Sequence, residues 1–246
     1  MKKSVYYFLL IVLLGVFAYS VYRIGGYLLE KRRSEEMAAT AAQFVHTPEP
    51  LETDPHELPE EEEQPLEVDF DALRQLNGDV VAWLYVPGTR INYPVVQGHD
   101  NNYYLYRLLD GTWNDNGTLF LDYRCRADFS DENSIIYGHH MRSGTMFATL
   151  TKYKDQSFYD EHPFLYLTTP TQKYRVDLFA GCIVEVDANI YQNEIPPECL
   201  AKYIGRSTFY PNHDIAAEGP ILTLSTCSFE FENARYVVLG VLVPIS

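Results

Sequence analysis

The sequence predicts a mainly β domain, a closed barrel or a sandwich, behind an N-terminal membrane span. Three observations carry this. Strand-type stretches recur from residue 80 to the C-terminus, whereas helical patterns are few. The 246 residues include 20 tyrosines and are 14% aromatic, a composition that favours strands. Near the N-terminus, residues 5–22 ("VYYFLLIVLLGVFAYSVY") carry no charge, and about 18 apolar residues are enough to span a bilayer.

That apolar run is longer than a signal-peptide core of about 7–15 residues, and no small-residue cleavage site follows it directly. It reads as an uncleaved signal anchor occupying residues 1–30. Lys2 and Lys3 precede it, and Arg23, Lys31, Arg32 and Arg33 follow, so charge alone leaves its orientation open. The stretch "LLEKRRSEEMAATAAQF" has helix-forming composition. "HTPEPLETDPHELPEEEEQPLEV" is rich in proline and glutamate and poor in large apolar residues, so residues 31–68 read as an acidic tether. Its four consecutive glutamates read as a solvated spacer rather than a calcium cage.

The folded domain is expected over residues 69–246. "DFDALRQLN" offers Asp69 as N-cap, with Phe70, Leu73 and Leu76 at helical spacing. "VVAWLYVPGTRINYPVVQG" is β-type sequence broken by a turn at Pro87 and Gly88. "GTLFLDYR", "NSIIYGHH", "FLYLTTP", "KYRVDLFAGCIVEV", "PILTLSTC" and "RYVVLGVLVPI" supply further strands. "GTMFATLTKY" and "PPECLAKYIGRS" read as short helices, the second opened by Pro196 and Pro197. Strands in this excess close into a barrel or stack into a sandwich.

The formal net charge is −15, which argues against nucleic acid as a partner. Cys125, Cys182, Cys199 and Cys227 form no CxxC pair, so no metal site is expected. If Cys227 is a free nucleophile, an odd number remains, and a full disulfide framework is excluded. Cys182, inside "LFAGCIVEV", reads as a small buried hydrophobe.

In a strand over residues 221–227, Leu222 and Leu224 share the core face, and Thr223, Ser225 and Cys227 share the other. If the next strand starts at Arg235 and pairs without a bulge, Arg235 lies opposite Cys227. Opposed Cβ atoms are about 4.5–5.5 Å apart. An arginine there can stabilise a thiolate or hold a carbonyl oxygen. It can equally be a surface partner of Glu230 or Glu232. A thiol nucleophile needs a base or cation, and "SIIYGHHM" puts His139 and His140 just beyond a strand end. Spacing does not choose between them.

"TLSTC" followed by Arg235, with "YGHHM" and "MF" upstream, resembles the sortases, cysteine transpeptidases of Gram-positive cell surfaces, and class B most closely. "DVVAWLYVPGTRINYPVVQGHDNNYYL", "GTLFLDYR", "IIYGHHMRSGTMFATLTKY" and the final hairpin follow the class B pattern in order, and residues 196–207 resemble its helical insertion. The resemblance covers residues 69 onward. It implies a closed eight-stranded β-barrel with a few flanking helices. It also implies catalytic His139, Cys227 and Arg235, because the family's histidine directly follows the glycine. By family position, Asn101, Leu105, Tyr137 and Ser225 are expected in the substrate groove. Cys125 departs from the pattern.

The implied chemistry is a thiol acyl transfer without metal or organic cofactor. Cys227 attacks a backbone carbonyl in the C-terminal sorting motif of a secreted protein, Arg235 steadies the oxyanion, and His139 protonates the leaving amine. A cell-wall peptidoglycan amine then takes the acyl group. The implied location is a single-pass cell membrane protein with its N-terminus cytoplasmic and its catalytic domain extracellular. Two alternatives stay open at this point. One is a sortase-like thiol hydrolase that releases proteins. The other is a non-enzymatic tethered β-domain that binds wall or protein ligands.

Overall fold

The computed structural model describes residues 2–47, 64–212 and 219–245. The chain opens with one helix, α1 (Lys2–Ala42). It is long and apolar enough to cross a membrane. Two short strands, β1 (Val45–His46) and β2 (Glu67–Val68), then pair antiparallel, Val45 against Val68 and His46 against Glu67. Helix α2 (Phe70–Leu76) follows, and the Asp69 side chain accepts from Ala72 N as its N-cap.

The barrel strands are β3 (Val80–Tyr85), β4 (Asn92–Val96), β5 (Leu119–Leu121), β6 (Asn133–Tyr137), β7 (Phe164–Thr168), β8 (Lys173–Val184), β9 (Ile221–Cys227) and β10 (Arg235–Ile245). They close in the order β10-β8-β7-β3-β4-β5-β6-β9, and β9 pairs back with β10. This is the closed eight-stranded barrel that the family resemblance implies. Two contacts are parallel, β4 with β5 and β6 with β9. Closure removes the exposed strand edges that would otherwise invite aggregation.

The barrel is filled by Leu84, Val95, Leu119, Ile136, Leu165, Leu178, Leu222, Leu224 and Val238, all buried. Helix α3 (Gln156–Glu161) follows the segment expected as the first short helix, which is a 3-10 helix over Phe147–Lys154. Helix α4 (Pro197–Ile204) lies where the second short helix is expected and packs on β8.

The β9 strand departs from the expected alternation. Its leucine face is buried, but so are Thr223 and Ser225 on the other face. The loop after β8 covers this second face. Thr223 Oγ1 donates to Asn133 Oδ1 at 2.7 Å, and Asn133 Nδ2 in turn donates to the carbonyls of Ile190 and Gln192. Much of the polar face is therefore covered and internally bonded.

The expected tether is also more ordered at its ends than its composition indicates. Residues 31–42 continue α1, and Ala41 and Leu66 are buried in one cluster with Leu73, Val80, Trp83 and Val96. The reason is that Met37, Ala41, Phe44 and Leu66 supply enough apolar surface to dock. Residues 48–63, with the glutamate run and His56, lie outside the described residues, as does His213. Leu66→Ala should therefore lower the unfolding free energy by about 2 kcal/mol, as measured by urea denaturation, because truncating a buried leucine costs transfer energy plus a cavity.

Candidate active site

Cys227 and Arg235 begin as neighbours across a hairpin. The β9–β10 register pairs Arg235 with Cys227, Tyr236 with Thr226 and Val237 with Ser225, without a bulge over this end. Arg235 is thus the direct cross-strand partner of the thiol. Its Nη1 donates to the carbonyls of Asn233 and Ala234 at 3.3 and 3.0 Å. The acidic rivals are not its partners. Glu230 pairs with Lys154 and accepts from Ser228. Among the described residues no carboxylate forms a salt bridge with Arg235.

The histidines arrive by a different route. Strand β6 runs parallel to β9 with Tyr137 opposite Ser225, an offset of 88 residues. The same offset carries past the strand ends. Thr226 Oγ1 donates to Gly138 O at 2.8 Å, and Gly138 N donates to Ser225 O. Residue 139 therefore lies level with residue 227. Glycine is needed at 138, because a Cβ there would lie 2.4 Å from Leu119 and 2.7 Å from the Phe147 ring.

The two histidines then face different ways. His139 lines one groove with Cys227 and Arg235. Its Nε2 donates to Leu105 O at 2.7 Å, and its ring lies 5.9 Å from that of Tyr106. A carbonyl only accepts, so Nε2 carries a proton and Nδ1 is free of this contact. His140 Nδ1 donates to the backbone carbonyl of Cys227 at 3.1 Å, and its ring meets Phe229 edge-on. His140 lines a separate groove with Arg90, Arg142 and Lys152.

The shared groove measures about 690 Å³, and Asn101, Leu105, Tyr137 and Ser225 all line it. Most of their polar groups are already engaged. Asn101 Nδ2 donates to Asp122 Oδ2 while Tyr123 N donates to Asn101 Oδ1. The Tyr137 hydroxyl also donates to Asp122 Oδ2. Ser225 is 2% exposed and shares a 3.0 Å hydrogen bond with the Tyr191 hydroxyl. These residues shape the wall of the groove.

Sequence reasoning missed the residue that ties the wall together. Asp122 is fully buried and accepts from Arg124 through both carboxylate oxygens, at 2.9 and 2.7 Å. Burial pushes its carboxyl up, but the Arg124 guanidinium and backbone N–H, Asn101 and Tyr137 outweigh this and hold it below its ordinary 3.8. Arg124 also donates to Tyr191 O. The sequence signal was present in "LFLDYR", where an acid and a base two residues apart close an apolar strand. Tyr191 had no such signal, since nothing local links residue 191 to residue 225.

Two of the other cysteines, Cys125 and Cys182, are chemically quiet. All four are unbridged. Burial pushes the Cys125 thiol up to about 11 and the Cys182 thiol up to about 12, so both stay protonated. Cys182 donates to Tyr203 O. Among the described residues no cluster of His, Cys, Asp and Glu could hold a metal ion.

A sortase domain family model matches residues 84–243. The chain belongs to the sortase family. It is 34% identical to Sortase B of Listeria monocytogenes over 242 residues, covering 96% of this chain and 95% of that protein. Among solved structures, sortase B from Bacillus anthracis in complex with AAEK1 is 28% identical, with a TM-score of 0.71, covering 89% of this chain and all of that one. A Staphylococcus aureus sortase B–substrate complex is 29% identical, with a TM-score of 0.67, covering 72% of this chain and 85% of that one. This sortase is therefore a cysteine transpeptidase of the sortase B type, with a long apolar N-terminal helix.

The Asp122 network generates a pH signature. A carboxyl held below its unfolded value stabilises the fold above about pH 4, and this contribution is lost as pH falls through the folded value. Asp122→Asn should remove that part of the acid-unfolding slope. Chemical denaturation of both proteins from pH 6 to 3 should show their stabilities converging as pH drops. Parallel curves would mean that the carboxylate is not coupled to folding.

Proposed function

We propose that this transpeptidase cleaves the C-terminal sorting motif of secreted proteins through a Cys227 thioester and transfers them to a cell-wall peptide amine. The supporting observation is that residues from three strand ends meet on one groove. Cys227 closes β9, Arg235 opens β10 beside it, and His139 follows β6 at the same level.

The chemistry follows from these positions. The Cys227 thiolate adds to the scissile carbonyl, and negative charge moves onto the carbonyl oxygen. Arg235, unpaired by any described carboxylate, is available to hold it. The tetrahedral centre collapses, the C–N bond breaks, and His139 gives its proton to the departing amine. With Nε2–H held by Leu105 O, Nδ1 carries the proton taken from the Cys227 thiol, and the resulting imidazolium delivers it to the amine. An incoming amine then adds to the thioester, His139 takes back a proton, and the thiolate leaves. The groove walled by Asn101, Leu105, Tyr137 and Ser225 holds the motif by shape, since its polar groups are largely spent on each other.

The long apolar helix supports a location. The motif-bearing proteins and the wall lie outside the membrane, so residues 1–30 enter from the cytoplasm and the barrel is extracellular. The folded unit takes in the end of α1 with β1 and β2.

The test is single-turnover mass spectrometry with sorting-motif peptides. Wild type should show a covalent thioester adduct, and Cys227→Ala should show none and no cleavage. His139→Ala should lose about 10²–10⁴-fold in turnover, while His140→Ala loses far less. The reverse ranking would show that the neighbouring groove holds the base. Product analysis with and without an amine acceptor separates transfer from plain hydrolysis.

Arg235→Lys tests the role of the guanidinium. Lysine keeps the charge but loses the planar fork. Turnover should fall by about 10²–10³-fold with circular dichroism unchanged. Near wild-type turnover would return Arg235 to the status of a surface cation.

A further inference from the structure

The loop between the 3-10 helix Tyr104–Tyr106 and β5 has no role in the chemistry above, yet it is rigidly built and carries exposed aromatics. Arg107 and Trp113 form an antiparallel bridge. Leu108 N donates to Thr112 O, and Asn114 N donates to Tyr106 O. Gly117 has φ +61°, and a Cβ there would sit 2.6 Å from Leu105 O. On this frame Trp113 is 60% exposed and stacks on Tyr106, with centroids 5.4 Å apart and planes 10° apart. The Arg107 guanidinium lies 5.5 Å from the Trp113 ring and 4.7 Å from the Tyr103 ring, which is also exposed.

A second observation says what meets this face. Asn114 Nδ2 donates to Glu30 O of α1 at 2.9 Å. Asp115 shares a cleft with Tyr22, Arg23, Gly25, Gly26, Tyr27 and Glu30. Apolar sequence continues past Arg23 through Leu29, and the first charged cluster is Glu30, Lys31, Arg32 and Arg33. Glu30 stands eight residues beyond Tyr22, about 12 Å along a helix. The loop is therefore fixed to α1 where a spanning helix leaves the hydrocarbon. Tryptophan and tyrosine concentrate at that depth, with an apolar ring body on one side and a polar tip on the other.

We propose that Trp113, Tyr103 and Arg107 form a membrane-contact face, seated in the headgroup layer of the same bilayer that α1 crosses. The occupant is the lipid interface. The face adjoins the reaction site directly. Leu105, whose carbonyl holds His139, and Tyr106, whose ring lies against it, belong to the same turn. Seating this face would open the Cys227 groove beside the membrane surface.

This inference rests on α1 being the membrane anchor, and the experiment reads the two separately. The chain has two tryptophans, and the other, Trp83, is 1% exposed inside the barrel. The full chain is reconstituted into phosphatidylcholine vesicles, with or without acyl chains brominated near the glycerol end. Flotation reports the anchor, and tryptophan emission reports the face. The expected result is flotation with bromine-dependent loss of the Trp113 emission, protection of that emission from aqueous iodide, and a spared Trp83 signal. In Trp113→Phe the bromine effect should disappear. Flotation with Trp113 emission unaffected by bromine and open to iodide would overturn the membrane face and leave the anchor standing. Failure to float would overturn both. None of these readouts depends on peptide turnover.

Discussion

Parallel pairing of β6 with β9 is the constraint on which the reactive end of the molecule depends. Parallel neighbours need a long crossover, and here the crossover contains β7 and β8. Because the two strands run the same way, both end at the same rim of the barrel. The 88-residue offset then sets His139 level with Cys227. A one-residue slip would turn every side chain of β6 to the opposite face and put His140 where His139 lies. The bonds at the rim, Thr226 to Gly138 O and His140 to Cys227 O, hold the register where the ladder stops.

A second layer of order comes from Asp122. It lies at the end of β5, and its carboxylate gathers Asn101, Arg124 and Tyr137. Arg124 passes the connection to the loop after β8, whose Tyr191 stacks beside Tyr137 and bonds Ser225. The groove is thus walled by one network centred on a buried carboxylate, and that buried charge is tolerable only because its partners are so complete. This explains why the wall offers shape more than free polar groups.

The parts legible in the sequence are those set by local geometry. The β9–β10 hairpin fixes its own register over a short connection, so Arg235 opposite Cys227 could be read from spacing alone. The choice between His139 and His140 could not, since it rests on a pairing partner 88 residues away, and only family position decided it. Alternation in β9 predicted the leucine face correctly but not the burial of Thr223 and Ser225 on the other face, because the covering loop is remote in sequence. The Pro/Glu composition of the tether masked the apolar residues at its ends. Ala41 and Leu66 find their burial only against Trp83 and Val96.

The β1–β2 pair changes how the molecule would carry load. His46 sits opposite Glu67, so the chain between them leaves and returns at one place. While the end of α1 stays docked, a pull on the barrel passes through the packed Ala41 and Leu66 cluster into α1. If the docking peels apart, the 20 residues from 47 to 66 give a contour length of at most about 70 Å. The acidic segment is then a reserve of length that comes into play only after the packed joint has failed.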